Sequence, residues 1–168
     1  TGSGKSIFIQ VLLKFFTDFE GDYRINSIDH KKISFASFRS IIGYVSQSNF
    51  ILDANIYDNI DFYRNLSKKD VEKAAITSEI YEFALKNKQG LQSPVGEQGL
   101  RLSGGQKQRI TIARALASNP QILILDDSTS KLDSQTESKI FTNILKNYPG
   151  ITLIVIAQKI SSIRSSDK

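Results

Sequence analysis

The 168-residue chain contains neither cysteine nor methionine. The first absence excludes a disulfide and any thiolate metal site. The second extends to position 1, and a chain that opens on Thr1-Gly2-Ser3-Gly4 without an initiator is expected to be a piece of a longer protein. No run of 18 apolar residues occurs, so no stretch reads as a membrane-spanning helix, and nothing at the N-terminus reads as a signal peptide. Internal repeats and low-complexity tracts are also missing. The one histidine, His30, lies in a stretch that reads as a polar turn, with no recognisable partners for a metal or catalytic group. The net charge is +5, but the basic residues are scattered, and Lys31-Lys32 and Lys68-Lys69 are no more than pairs. With no basic stripe interleaved with aromatics, the charge reads as a solvated surface and nucleic acid is not an expected partner.

The length suits one domain with a sizeable core, and a composition of 40% hydrophobic and 23% charged residues is that of a globular chain. Thr1-Gly2-Ser3-Gly4-Lys5-Ser6 matches the second half of a P-loop, G-x-x-x-x-G-K-[ST]. In that motif backbone N–H groups wrap phosphates, the lysine reaches the β- and γ-phosphates and the hydroxyl binds Mg²⁺. Farther on, Leu102-Ser103-Gly104-Gly105-Gln106 opens a helix, with Ser103 as its cap and two glycines that allow close approach to the backbone. Exposed N–H groups at a helix N-terminus favour an anion. The run Ile122-Leu123-Ile124-Leu125 reads as a strand buried on both faces and ends in Asp126 and Asp127, which brings carboxylates to the edge of a sheet, where α/β ligands bind.

The periodicity predicts further elements. Residues 5–16 read as a helix with Ile9, Leu12, Leu13 and Phe16 inward. Residues 21–28 read as a short strand or hairpin. Ser34 caps a short helix carrying Phe35, Phe38 and Ile42. Residues 43–47 read as a buried strand ending in Gln47, and Ser67 with Asp70 as a variant capping box. Residues 80–85 continue in helical spacing, and residues 89–101 form a turn-rich loop. The helix from Ser103 ends near Ser118, before Asn119-Pro120. Residues 136–146 form an amphipathic helix that buries Ile140, Ile144 and Leu145. A second buried strand, 151–157, ends at Gln158.

Together the half P-loop, the Leu102-Ser103-Gly104-Gly105-Gln106 signature and the Ile122 to Asp127 strand resemble the nucleotide-binding domain of an ABC transporter, and the resemblance runs the length of the chain. It implies a RecA-like P-loop NTPase core with a mostly parallel sheet, interrupted by an α-helical signature subdomain. The expected partition is 1–47 (core), 48–118 (helical subdomain) and 119–168 (core). The family pairs two such domains head to tail around two ATP molecules. By this resemblance Thr1, Gly2, Ser3, Gly4, Lys5, Ser6, Ile7, Gln47 and Asp126 belong to the ATP site of this chain. Ser6, Gln47 and Asp126 lie toward Mg²⁺, and Ser103, Gly104, Gly105 and Gln106 complete the partner's site. Gln47, Asp127 and Gln158 occupy the catalytic positions. Phe50-Ile51-Leu52-Asp53-Ala54-Asn55-Ile56-Tyr57-Asp58-Asn59-Ile60 resembles the exporter segment that receives the transmembrane domain, and Pro94-Val95-Gly96-Glu97-Gln98-Gly99 resembles the x-loop of exporters.

The chain departs from the family pattern at several points. Ile7 replaces the usual threonine, Lys131 interrupts the S-A-L-D of the D-loop, Asp127 stands where the general-base glutamate belongs, and Gln158 replaces the switch histidine. The strand that feeds the P-loop and the aromatic that stacks on adenine precede Thr1 in the family, so the 168 residues alone are expected to fold poorly and bind ATP weakly. The expected function is the ATPase half of a membrane exporter on the cytoplasmic face of the cell membrane, tethered through a transmembrane domain. Its own site would be hydrolytically weak, and its second nucleotide-binding domain a non-identical partner with intact Glu and His. A homodimer with a slow aspartate base, a soluble ABC ATPase acting on nucleic acid or ribosomes, and a non-hydrolysing nucleotide-gated regulatory module are the alternatives.

Overall fold

The computed structural model describes residues 5–16 and 18–156. The chain divides into two compact units, Thr1–Ile41 and Ile42–Lys168.

The first unit holds helix α1 (Lys5–Leu12), a hairpin of β1 (Arg24–Ile25) and β2 (Ile28–Asp29), and helix α2 (Phe35–Ile41). Asn26 and Ser27 both have positive φ, the backbone a two-residue hairpin turn of matching twist requires. Helix α1 stops earlier than the periodicity predicts. Lys14 adopts a left-handed φ of 58°, its N–H donating to the Val11 carbonyl and the Phe15 N–H to that of Gln10. This is a Schellman ending with lysine where glycine is usual. The buried Lys14 side chain accounts for it: its ammonium donates to the carbonyls of His30 and Ile33 and lies near the Phe38 ring. Phe16, expected inward, is exposed. His30 is no surface turn residue. It is buried, with its ring stacked 4.1 Å from that of Tyr23. Ser34 caps α2 as expected, accepting from the Ser37 N–H at 3.2 Å, while Ile42 begins the next strand.

In the second unit β3 (Ile42–Val45), β4 (Ile122–Asp126) and β5 (Thr152–Ile156) form a parallel sheet in the order β3-β4-β5. The register sets Val45 beside Leu125 and Asp126 beside Ile156. Helices fill both crossovers: α3 (Ile56–Asp61), α4 (Lys68–Thr77), α5 (Tyr81–Leu85) and α6 (Gly104–Leu116) between β3 and β4, and α7 (Ser134–Asn147) between β4 and β5. Parallel neighbours need such crossovers, and a strand covered on both faces becomes continuously apolar, as Leu123, Ile124 and Leu125 are. Helix α6 is the hub, packing on α3, α4 and β3. It comes so close to β3 that a Cβ on Gly43 would lie 2.8 Å from the Ala115 carbonyl oxygen.

Arg114 ties this helical layer together. Its guanidinium donates to the carbonyls of Asn59 (2.7 Å) and Phe50 (2.9 Å) and lies 4.4 Å from the centre of the Phe62 ring. Desolvation, with Arg64 adding repulsion, lowers its pKa to about 10. In α7 Ile140 and Ile144 are buried as expected. Leu145 is exposed and Phe141 takes the inward place, since a stripe at i, i+1, i+4 points one residue further round than adjacent Ile144-Leu145 suggests.

Candidate functional site

At the sheet's C-terminal edge, β3 and β4 run parallel, so the residues that follow each strand emerge side by side. Asp126 closes β4, and its Oδ2 accepts from the Tyr44 hydroxyl at 3.4 Å. The Tyr44 phenol is raised above its ordinary pKa by burial and then by the Asp126 charge. Asp127 turns out of the strand with φ 47° while its N–H donates to the Ile156 carbonyl at 2.8 Å. That turn sets its carboxylate against Gln47, whose Nε2 donates to Asp127 Oδ2 at 3.2 Å across 80 residues of sequence. Gln47 itself is exposed beyond the end of β3. Ser128 and Thr129 then turn inward and are buried.

Among the described residues no group of three or more His, Asp or Glu side chains forms a metal cage. One or two carboxylates beside oxygen-rich phosphate suit Mg²⁺, which keeps several waters. Asp126, at the end of β4, therefore suits that ion arriving with a nucleotide.

The second feature is the N-terminus of α6. Ser103 Oγ accepts from the Gln106 N–H at 3.3 Å, and Gln106 Oε1 accepts from the Ser103 N–H at 2.7 Å. This reciprocal box satisfies two of the four orphan donors at a helix start. The remaining two belong to Gly104 and Gly105, whose N–H groups meet no acceptor among the described residues. A cavity of about 410 Å³ opens there, lined by Ser103, Gly104, Arg109, Lys131 and Asp133 among others. Free amides, no side-chain bulk at N1 and N2, and the positive end of a 13-residue helix suit a phosphate group.

A buried glutamine that sequence reasoning missed joins this helix to the loop after β4. Gln108 is fully buried, accepts from the Lys131 N–H at 2.9 Å and donates to Ser130 Oγ at 3.5 Å. Its position four residues before Ile112, on the inward face of α6, was the available signal: a polar side chain in an apolar stripe. Asp133 ends the loop by capping α7, accepting from the Thr136 N–H at 2.9 Å, and those bonds hold its carboxyl below the usual range.

The other expected site residues fall as follows. Thr1, Gly2, Ser3, Gly4 and Gln158 lie outside the described residues. Lys5, Ser6 and Ile7 open α1 in the first unit, with Ile7 exposed. Of the 50–60 segment, Ile51, Ile56 and Ile60 are core residues of the second unit, whereas Phe50 is 61% exposed. The isoleucines of this segment are covered by the helical layer, which leaves Phe50 as its large exposed apolar side chain. Backbone bonds join this segment to residues 94–99. Val95 N–H donates to the Ala54 carbonyl at 3.0 Å and Asn55 bridges Pro94.

The parallel strands with acid groups at their C-terminal edge, the helical crossovers and the glycine-opened helix define a RecA-like α/β nucleotide domain. The family profile described as ABC transporter matches residues 1–130, and the chain belongs to that family. Similar proteins include an export ATP-binding/permease protein of Rickettsia conorii, 44% identical over 99% of this chain. The ATP-binding cassette sub-family B member 5 of Homo sapiens is 39% identical over 99% of it. A bacterial Atm1-family ABC exporter solved with ATP bound superimposes with a TM-score of 0.89 at 38% identity, over 99% of this chain and 30% of that one. The chain spans 29% of the length of the Rickettsia relative and 13% of the human one.

Proposed function

We propose that this chain is the ATP-binding and ATP-hydrolysing domain of an ABC exporter, on the cytoplasmic face of a membrane, working with Mg²⁺. The observation that carries the reading is the start of α6: a closed capping box leaves only the Gly104 and Gly105 amides free to receive phosphate. The names of the similar proteins support export, and so does the joining of residues 54–55 to 94–95, the two segments whose sequences resemble exporter elements. In this reading residues 48–118 form the signature subdomain between the two core segments 1–47 and 119–168. Phe50 is the exposed contact toward a transmembrane domain.

Each residue has a stated task. By the family resemblance the P-loop residues up to Lys5 and Ser6 are assigned to the triphosphate. By the same resemblance Ser6, Gln47 and Asp126 are assigned to the ion. When bound, Mg²⁺ neutralises phosphate charge and orders water. Asp127 stands at the general-base position, steadied by Gln47. An aspartate is one methylene shorter than glutamate, about 1.5 Å of reach, and a general base must come within about 2.6–3.2 Å of the proton it takes. Gln158, in place of a histidine, donates through an amide but offers no imidazole. Binding therefore outlasts hydrolysis at this chain's own site. Ser103, Gly104, Gly105 and Gln106 serve the site of a non-identical second nucleotide domain that retains Glu and His.

The test is made in the assembled full-length complex. The double substitution Asp127→Glu with Gln158→His should leave ATP turnover largely carried by the partner. Replacing the partner's catalytic glutamate should lower turnover by about 10²–10⁴-fold, the range for loss of a general base. Purification as a homodimer with brisk turnover would refute the asymmetric assignment.

A further inference from the structure

Lys131 is an exposed residue in the loop between β4 and α7, yet its side chain lies back across α6. A Cβ built on Gly104 would stand 2.8 Å from Lys131 Cδ and 3.7 Å from its Cβ and Cγ. The aliphatic stem thus packs on the very glycine whose amide is free. The loop cannot drift from that position easily. The Lys131 N–H donates to the Oε1 of fully buried Gln108, and the Lys131 carbonyl faces Gly105, where a Cβ would stand 3.2 Å from its oxygen. The charges lining the same cavity are Lys131, Arg109 and Asp133. Arg109 is anchored by its Nη1, which donates to the Glu79 carbonyl at 2.8 Å, while its Nε is buried without a partner among the described residues, and Asp133 caps the N-terminus of α7. The Lys131 side chain is the exposed cation of this lining, and its ammonium meets no acceptor among the described residues.

We infer that Lys131 is an additional phosphate-binding residue of the signature half-site: its ammonium supplements the Gly104 and Gly105 amides and strengthens nucleotide-driven closure of the two domains. The inference rests on the reading of residues 103–106 as the signature that meets a partner's nucleotide. Two neutral amides at a helix terminus give a directed but modest field. A flexible ammonium adds a full charge at a solvent-open position, so its contribution should be charge-dependent and screened by salt.

The experiment uses the full-length exporter with its partner, Mg²⁺ and the non-hydrolysable analogue AMP-PNP. Spin labels on the two nucleotide domains report closure. Lys131→Ala should raise the half-saturating analogue concentration about three- to tenfold at low salt, and the difference should shrink in about 0.5 M salt. Lys131→Arg should stay close to the parent. An unchanged or tighter half-saturation in Lys131→Ala overturns the inference, because the stem would then merely shield the glycines. So does an Arg variant as weak as the Ala variant, which would assign the effect to packing. Gly104→Val is the control on the underlying reading. If it closes normally, the signature assignment falls and Lys131 with it. If it blocks closure while Lys131→Ala has no effect, only the lysine's role is lost.

Discussion

The start of α6 and the tip of β4 are both built to meet charged groups, but they are put together over different distances along the chain. At α6 the bonds that leave the glycine amides open lie within four residues: Ser103 and Gln106 satisfy each other, and the two glycines between them are left without an acceptor. At β4 the decisive contact joins Gln47 to Asp127 across 80 residues, and it exists only because β3 and β4 are held in parallel register. A site closed by local bonds keeps its shape as long as its own helix turn exists. A site assembled from strand ends is only as fixed as the sheet and the helices beneath it. Gln108 links the two, tying the inward face of α6 to the loop that leaves β4.

The sharpest way to break the comparison is to fill the local site. Gly104→Val places branched bulk against Lys131 and over the free amides and, on the function proposed above, should lower ATP turnover of the assembled complex on the order of 10²–10³-fold, as removal of a preorganised donor does. Because the change is confined to the first turn of α6, unfolding by urea should move little. If turnover survives, the α6 terminus is not where phosphate is met.

A smaller but more distributed effect is expected from Gln108→Leu. The substitution keeps similar volume and removes the acceptor of the Lys131 N–H and the donor to Ser130. It should lower the stability of the domain by about 1–3 kcal/mol, the usual cost of unpairing a buried polar group, measured by urea unfolding of the full-length protein. Unchanged stability would mean that the loop after β4 is held by other contacts.

Acid gives the mildest perturbation. Hydrogen bonds from Ser67 and then Asn119 hold the Asp70 carboxyl below its usual range, and bonds from Thr136 do the same for Asp133. A carboxyl depressed in the folded state binds fewer protons there than in the unfolded chain. Its stabilisation is therefore present above the unfolded value, about pH 4, and is lost as the pH falls through the folded one. The melting temperature should drop below about pH 4. Asp133→Ala should melt lower than the parent at pH 7 but approach it near pH 3. A constant gap across that range would remove the cap's charge from the account.

Much of this was legible in the residues themselves. The cap at Ser103, the helix stop before Asn119-Pro120, the Ser34 cap and the apolar β4 strand are written in spacings of a few residues, and the structure has each of them. The errors have a common cause. Lys14 ends α1 early because its ammonium finds carbonyls 16 and 19 residues away. His30 is buried by aromatic rings that only the fold brings to it. Residues 50–60 resemble a segment that receives a transmembrane domain, yet its Ile51, Ile56 and Ile60 are covered by helices of the same chain.

The sequence by itself determined the family, the fold class and the residue types at each chemical position, because motifs and caps are short-range patterns of donors, acceptors and apolar spacing. Only the tertiary structure decided which apolar residues were already covered, that Gln47 would hold Asp127, and that Lys131 would lie on Gly104. Those outcomes depend on strand register and helix packing. They are set by the burial of the whole core, and no window of neighbouring residues contains them.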